Sequence, residues 1–189
     1  MCTDCPDRLA SDLDAGFPLL VAHYGDLVYG IARRSSRRPE DAEDLAQDVF
    51  VRAYRALGGY EAARIRGLRV SGWLAAITLN LARNRARRRE VPSSRLETVA
   101  EPLDTASGPA TLVEEREADT VWQRRLEALP TRFRRAVELR HVSGLSYPEV
   151  AEALGRPLGT VKSDVHRGVR LLRRMVEQEQ AVAEREVEP

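Results

Sequence analysis

Residues Gly144 to Arg170, GLSYPEVAEALGRPLGTVKSDVHRGVR, admit few folds. Val150, Ala151 and Leu154 recur at helical spacing, so the segment from Pro148 to Leu154 has one face to bury. Gly155 tolerates the left-handed backbone that ends a helix, and Pro157 blocks simple continuation. Thr160 is placed to cap a second helix. There Val161, Val165, Val169 and Leu172 share one narrow arc. Ser163, His166, Arg167 and Arg170 share the opposite arc, with Thr160 and Lys162 at its edges. A helix that reads the major groove needs this division, because apolar residues anchor it while donors reach phosphates and base edges. A solvated amphipathic helix has the same pattern, so spacing leaves both readings open.

The rest of the chain reads as helices. Aromatic residues are only 5% of the sequence, so its cores must be mainly Leu, Val and Ala, which favours an all-α fold over sheet. Phe17, Leu20, Val21, Tyr24, Val28 and Ile31 repeat at three- and four-residue steps, which predicts a helix from about Asp14 to Arg34. Pro39 followed by Glu40, Asp41, Glu43 and Asp44 marks the start of a helix that Gly58 and Gly59 stop. Residues 60–71 read as a loop, and a further helix follows from about Ser71 to Arg89. Pro92, Pro102, Gly108 and Pro109 among small and acidic residues give 91–115 the composition of a flexible linker. Beyond it, helices are predicted to about Leu129 and from Thr131 to Val142, ahead of the helix-turn-helix. The resulting division is a disordered tail (1–13), a first domain (14–90), the linker (91–115), a second domain (116–178) and an acidic tail that frays (179–189). Such a linker predicts that the two small helical domains tumble semi-independently.

Net charge is +1, but its distribution is uneven. Residues 61–90 carry eight Arg against two Glu, and 121–150 carry six Arg against three Glu. Residues 91–120 between them carry two Arg against seven acids. Phosphate contact would use the two basic regions and leave the connector off the duplex. In the 72–89 helix, Leu74, Ile77 and Leu81 face the core, and Asn80, Arg83, Asn84 and Arg87 point outward. Asn amides can hydrogen-bond base edges and Arg can hold phosphates. Trp73 reads as a core residue. In the 41–57 helix, Ala42, Leu45, Val49, Ala53 and Leu57 face inward, leaving Asp44, Gln47, Asp48 and Val51 outward. An acidic face with one aliphatic residue suits a basic protein surface better than DNA. Cys2 and Cys5 form a C-x-x-C pair with no third or fourth metal ligand placed beside it, and read as part of the loose tail. No P-loop, nucleophile elbow or metal-binding motif is present, so no catalytic residue, cofactor or metal site is expected. The acidic amino terminus and the absence of a long apolar run predict a cytoplasmic protein with no membrane insertion.

The run GLSYPEVAEALGRPLGTVKSDVHRGVRLL closely resembles the DNA-binding domain of the extracytoplasmic-function (ECF) sigma factors, the small members of the bacterial sigma-seventy family. LPTRFRRAVELRHVSGLSY resembles the segment leading into it, DAEDLAQDVFVRAYRAL a second motif, and GWLAAITLNLARNRARRR the minus-ten-reading helix. Three motifs stand in the family's order. The resemblance implies that Asp44, Gln47, Asp48 and Val51 meet the beta-prime clamp of core RNA polymerase, with the beta flap a second contact. It implies that Asn80, Arg83, Asn84 and Arg87 meet the minus-ten element. A base extruded from the opening duplex would be captured near Arg64, Arg66 and Arg69. Thr160, Lys162, Ser163, His166, Arg167 and Arg170 would meet the minus-thirty-five element. An anti-sigma factor is an implied partner. Two departures stand out. Asp164 replaces an expected cation, which would repel phosphate or accept from a cytosine amine, and Gly168 replaces an expected Ala, which would soften the helix. The competing reading is a stand-alone helix-turn-helix transcriptional regulator with its own sensing domain.

Overall fold

The computed structural model describes the backbone of residues 5–90 and 120–187. Every regular element among them is helical. The helices are α1 (Cys5–Ser11), α2 (Leu13–Arg34), α3 (Pro39–Gly58), α4 (Ala62–Arg66), α5 (Val70–Glu90), α6 (described over 120–128), α7 (Thr131–Val137, continued by a π turn over Glu138–Val142), α8 (Tyr147–Leu154) and α9 (Leu158–Val187). The expected linker at 91–115 and Cys2 lie outside the described residues.

The helix ends follow from local chemistry. Asp12 caps α2 by accepting from the Ala15 amide at 3.0 Å. Pro39 opens α3 with Glu40 and Asp41 in its first turn, where acids complement the helix dipole. Ser146 and Glu149 form a reciprocal capping box at the start of α8, and Gly155 ends it at φ +62°.

The first domain packs α1, α2, α3 and α5 around Leu20, Val28, Leu45, Val49, Leu57 and Leu74, all at most 1% exposed. Residues 5–11 are not the loose tail that their polarity predicts. Cys5 and Leu9 of α1 are buried in this core, and α1 lies so close to α2 that a Cβ on Gly16 would stand 2.9 Å from the Leu9 amide nitrogen. Periodicity over seven residues supplies only two fully buried apolar positions, too weak a signal to separate α1 from a tail. Residues 60–71 also hold more order than a loop, since α4 buries Ile65.

The two domains are in contact in this structure, which their sequences did not predict. Ile31, Ala75 and Leu79 of the first domain share one apolar cluster with Ala136, Leu139, Leu145, Val150, Val161 and Val165 of the second. Helix α5 is thus apolar on two sides, one toward its own domain and one toward α8. A Cβ on Gly72 would meet the Glu149 Cα and O at 3.0 Å, so glycine spares this approach of α5 to α8 a tight backbone contact. Ser71 donates to the Glu149 carboxylate, whose other oxygen accepts from the Ser146 amide and hydroxyl at 2.7 Å each. Burial alone would raise the Glu149 pKa. The hydrogen bonds from Ser71 and Ser146, with Arg69 nearby, outweigh it and hold the carboxyl below its ordinary range. At the other edge Arg34 donates to the Ser143 hydroxyl at 2.5 Å.

Candidate nucleic-acid and polymerase interfaces

Helix α9 begins two residues before the expected Thr160 cap. Leu158 is its first residue, and the Pro157 carbonyl accepts from the Val161 amide at 3.1 Å. Val161, Val165 and Leu172 are buried, while Lys162, Ser163, His166, Arg167 and Arg170 are exposed and Thr160 is half-buried beside them. The structure therefore gathers these six candidates on one accessible stretch. The Ser163 hydroxyl donates to the Gly159 carbonyl at 3.0 Å, leaving its oxygen free to accept.

Asp164 does not share this accessible face. It is fully buried, accepting from Arg132 Nε at 2.9 and 3.0 Å and from Arg156 at 3.2 Å. Arg132 belongs to α7 and Arg156 to the turn before α9, so one carboxylate ties three segments together. The hydrogen bond that Arg132 donates to Asp164, then the charge of Asp164, raises the pKa of Arg132. Gly168 likewise has a packing role. A Cβ there would stand 2.5 Å from Val137 Cγ2 and 3.3 Å from Phe133 Cβ, so glycine lets α7 lie directly on α9. Residues 179–187 are helical where an acidic tail that frays was expected. Helix α9 continues to Val187, and Arg125 of α6 grips Glu179 through two nitrogens at 3.1 and 2.5 Å.

On α5, Asn80, Arg83, Asn84 and Arg87 are all exposed and lie on one side. Arg83 donates to Asn80 Oδ1 at 3.1 Å, which orients that amide with its NH2 group free. Arg83 also stands near Arg135 of α7, at the edge of the interdomain contact. Arg64, Arg66 and Arg69 are exposed but take separate partners. Arg64 stacks 3.7 Å over the Tyr60 ring, Arg66 pairs with Asp7 of α1 at 3.4 Å, and Arg69 faces Glu149 and Glu152 of α8. Trp73 is half-buried against the core, with its ring centroid 6.3 Å from that of Tyr60.

Asp44, Gln47, Asp48 and Val51 lie on the accessible side of α3, with Val51 half-exposed. Arg85 of α5 reaches over this helix. It pairs with the Asp48 carboxylate and donates to the carbonyls of Asp41 at 3.3 Å and Asp44 at 3.1 Å. Asp48 thus ties α3 to α5 as well as facing outward, which the one-dimensional pattern concealed.

Sequence reasoning named no residues for a second polymerase contact. The structure shows an apolar groove of about 790 Å3 on the second domain, lined by Trp122, Leu126, Val137, Val142, Leu172 and Val176. Trp122 and Val142 stand 48% and 51% exposed at its rim, more than large apolar side chains in a finished core. Trp122 was the available signal, as the lone aromatic between Trp73 and Phe133.

Residues 20–91 match the family model described as Sigma-70 region 2, and residues 120–172 match Sigma-70, region 4. The chain is 37% identical over 158 residues to ECF RNA polymerase sigma factor SigE of Mycolicibacterium smegmatis, covering 82% of this chain and 59% of that relative. It is 31% identical over 175 residues to ECF RNA polymerase sigma factor SigW of Bacillus subtilis, covering 87% of this chain and 90% of that one. Among solved structures, CnrH in complex with the cytosolic domain of CnrY superposes with a TM-score of 0.66 at 25% identity, over 93% of this chain and 97% of that chain. Sigma factor RpoE in complex with the anti-sigma factor NepR from Bartonella quintana gives 0.58 at 26%, over 88% and 97%. Two region models in the family's order, on two all-helical domains, place this chain in the sigma-70 family, in its extracytoplasmic-function group of RNA polymerase sigma factors.

Proposed function

We propose that this chain binds core RNA polymerase and promoter DNA and directs transcription initiation, with nucleotide polymerisation left to the enzyme it joins. The observation that carries this reading is the pair of accessible donor faces on separate domains: Asn80, Arg83, Asn84 and Arg87 on α5, and Thr160 to Arg170 on α9. The first face meets the minus-ten element and the second the minus-thirty-five element, with Arg64, Arg66 and Arg69 beside the opening duplex. The acidic side of α3, Asp44, Gln47, Asp48 and Val51, docks on the beta-prime clamp. The groove around Trp122 and Val142 receives an apolar segment of the beta flap. Such a chain works in the cytoplasm, beside DNA. No described helix is long and apolar enough to cross a membrane. The solved RpoE relative is bound to an anti-sigma factor, and we propose a partner of that kind here.

The closed arrangement bears directly on this function. Elements named for positions 35 and 10 lie about 25 base pairs apart, ~85 Å along B-DNA at ~3.4 Å per base pair. In the closed chain α5 touches α8, and α9 follows α8 after three residues. The path from Asn84 through the Ser71–Glu149 contact to Arg167 is at most ~60 Å, using ~1.5 Å per helical residue and ~3.5 Å per extended one. The closed chain therefore cannot occupy both elements, and the domains must part on the polymerase.

The test is co-purification with core polymerase, comparing the parent with Asp44→Arg. The reading requires a stoichiometric complex that Asp44→Arg weakens at least tenfold. A chain that binds duplex DNA specifically without polymerase, and ignores core enzyme, is instead the stand-alone regulator.

A further inference from the structure

We propose that the cleft between the two domains is a binding site for a small oligophosphate, and that its occupant holds the domains closed. This rests on the closed arrangement described above. The cleft has a volume of about 650 Å3, within the ordinary range for small-molecule sites. It is lined by Arg33, Arg34 and Arg37 from the end of α2 and the turn after it, and by Arg134 and Arg135 from α7. The facing carboxylates are Glu127 and Glu138, so five cations meet two anions.

These guanidiniums are not an ordinary solvated face. Arg34, Arg134 and Arg135 are half-buried. Burial lowers the pKa of Arg34 against the pull of Glu138. Burial also lowers that of Arg135, and Arg83, Arg134 and Arg156 add repulsion. Arg135 Nη1 is enclosed and has no hydrogen-bond partner among the described residues. Glu138 is a reluctant counter-ion, since burial raises its pKa in spite of Arg34, Arg134 and Arg135. Buried charge without a partner is costly, and an anion seated here would relieve the deficit.

The local backbone adds a second indication. Glu138 opens the π turn, a rare geometry frequent at functional sites. The turn closes with the Ser143 amide donating to the Glu138 carbonyl at 2.8 Å, which sets the Ser143 hydroxyl where Arg34 reaches it. Arg34 is thereby fixed at the cleft with part of its planar fork left over. Guanidinium forks grip phosphate oxygens bidentately, so a linear run of phosphates matches several forks in one cleft. Asn80, Asn84, Arg167 and Arg170 do not line the cleft, and Arg83 alone of the α5 and α9 donors stands near it, beside Arg135. Because each domain supplies part of the lining, a ligand that needs both parts must stabilise the closed form.

The experiment is calorimetric titration of the full chain with inorganic tripolyphosphate and, separately, with a nucleoside triphosphate. We expect one saturable site. Arg135→Gln and Arg34→Gln should each weaken binding at least tenfold, with folding checked by circular dichroism, whereas Arg167→Ala should stay within twofold of the parent. Gly72→Leu touches no cation but forces α5 from α8, and should also weaken binding at least tenfold. Equal affinity for both ligands assigns recognition to the phosphates alone, and tighter nucleotide binding adds a base contact to the same site. No binding, an unchanged Arg135→Gln, an equal loss in Arg167→Ala, or displacement by duplex DNA at matched phosphate concentration would each overturn the proposal. X-ray scattering on the same samples separates the causes. A compact chain that ignores tripolyphosphate removes this site alone, and an extended chain removes the closed arrangement with it.

Discussion

Replacing Gly72 should stabilise one domain and release the other. Within α5, Gly72→Ala gains up to about 1 kcal/mol of helix propensity. The new Cβ, however, would stand 3.0 Å from the Glu149 Cα and O and 3.2 Å from its Cβ. Two of these neighbours are backbone atoms, which cannot swing aside as a side-chain end can. Overpacking of this kind costs about 1–3 kcal/mol. Glu149 belongs to the other domain, so the chain can shed the whole strain by parting α5 from α8. The closed form then loses about 1–3 kcal/mol relative to the open one, a shift of roughly 5- to 150-fold. The first domain keeps its gain. Gly72→Leu enlarges the clash without touching either DNA face. Hydrogen exchange and X-ray scattering read the outcome together. Amides of α8 should exchange faster, those of α3 should not, and the radius of gyration should rise. If Gly72→Leu leaves both the α8 exchange and the radius unchanged, the contact seen here does not govern domain closure.

Glu149 makes the same contact sensitive to acid. Its pKa is held below the ordinary carboxylate value of about 4.3, so its stabilisation is complete above that value and fades as pH falls through the folded pKa. Scattering at falling pH should show opening in the parent, and an unchanged titration for Glu149→Gln would remove the carboxylate as its cause. Asp164→Asn should loosen the turn before α9 and weaken minus-thirty-five binding through lost structure, so melting of the second domain should shift with it. Asp164→Arg should act in the same direction, and tighter DNA binding by that variant would contradict the buried ion pairs. Asp44→Arg and Asp48→Arg should both weaken polymerase binding, but only the second should lower stability, because it sets two cations together at Arg85. Asn80→Ala and Asn84→Ala should change minus-ten preference, whereas Arg87→Ala should weaken all promoters evenly and lower the salt slope by about 1. Equal losses on every promoter for all three would remove the Asn pair as base readers.

Where a helix packs on one neighbour, its sequence shows it. The face of α3 made by Ala42, Leu45, Val49, Ala53 and Leu57 is buried as its spacing requires, and Pro39 and Gly59 bound it. The turn between α8 and α9 was equally legible, because positive φ at Gly155 and a capping box at Ser146 leave signatures within a few residues. Helix α5 was half read. Leu74, Ile77 and Leu81 point toward their own domain, while Gly72, Ala75 and Leu79 have no reason to be buried until α8 arrives from 78 residues away. Asp164 and Gly168 misled for the same reason. The acid looked like a change in DNA contact and the glycine like a softened helix, and most of the groups that explain them, Arg132, Val137 and Phe133, lie more than 30 residues back in the chain, with Arg156 eight residues before Asp164. The candidate faces on α3, α5 and α9 were legible as amphipathic arcs. The cation-rich cleft was not, since its arginines come from two domains and no local spacing joins them.

Promoter selection by reconstituted holoenzyme tests the central claim most directly. Core RNA polymerase with this chain should initiate from a set of randomised templates only where two elements stand at a fixed spacing. Arg167→Ala and Arg170→Ala should erase the preference at the upstream element, and Asn80→Ala and Asn84→Ala the preference at the downstream one. Initiation that does not depend on the added chain, or a selected sequence that none of these four substitutions alters, would contradict it.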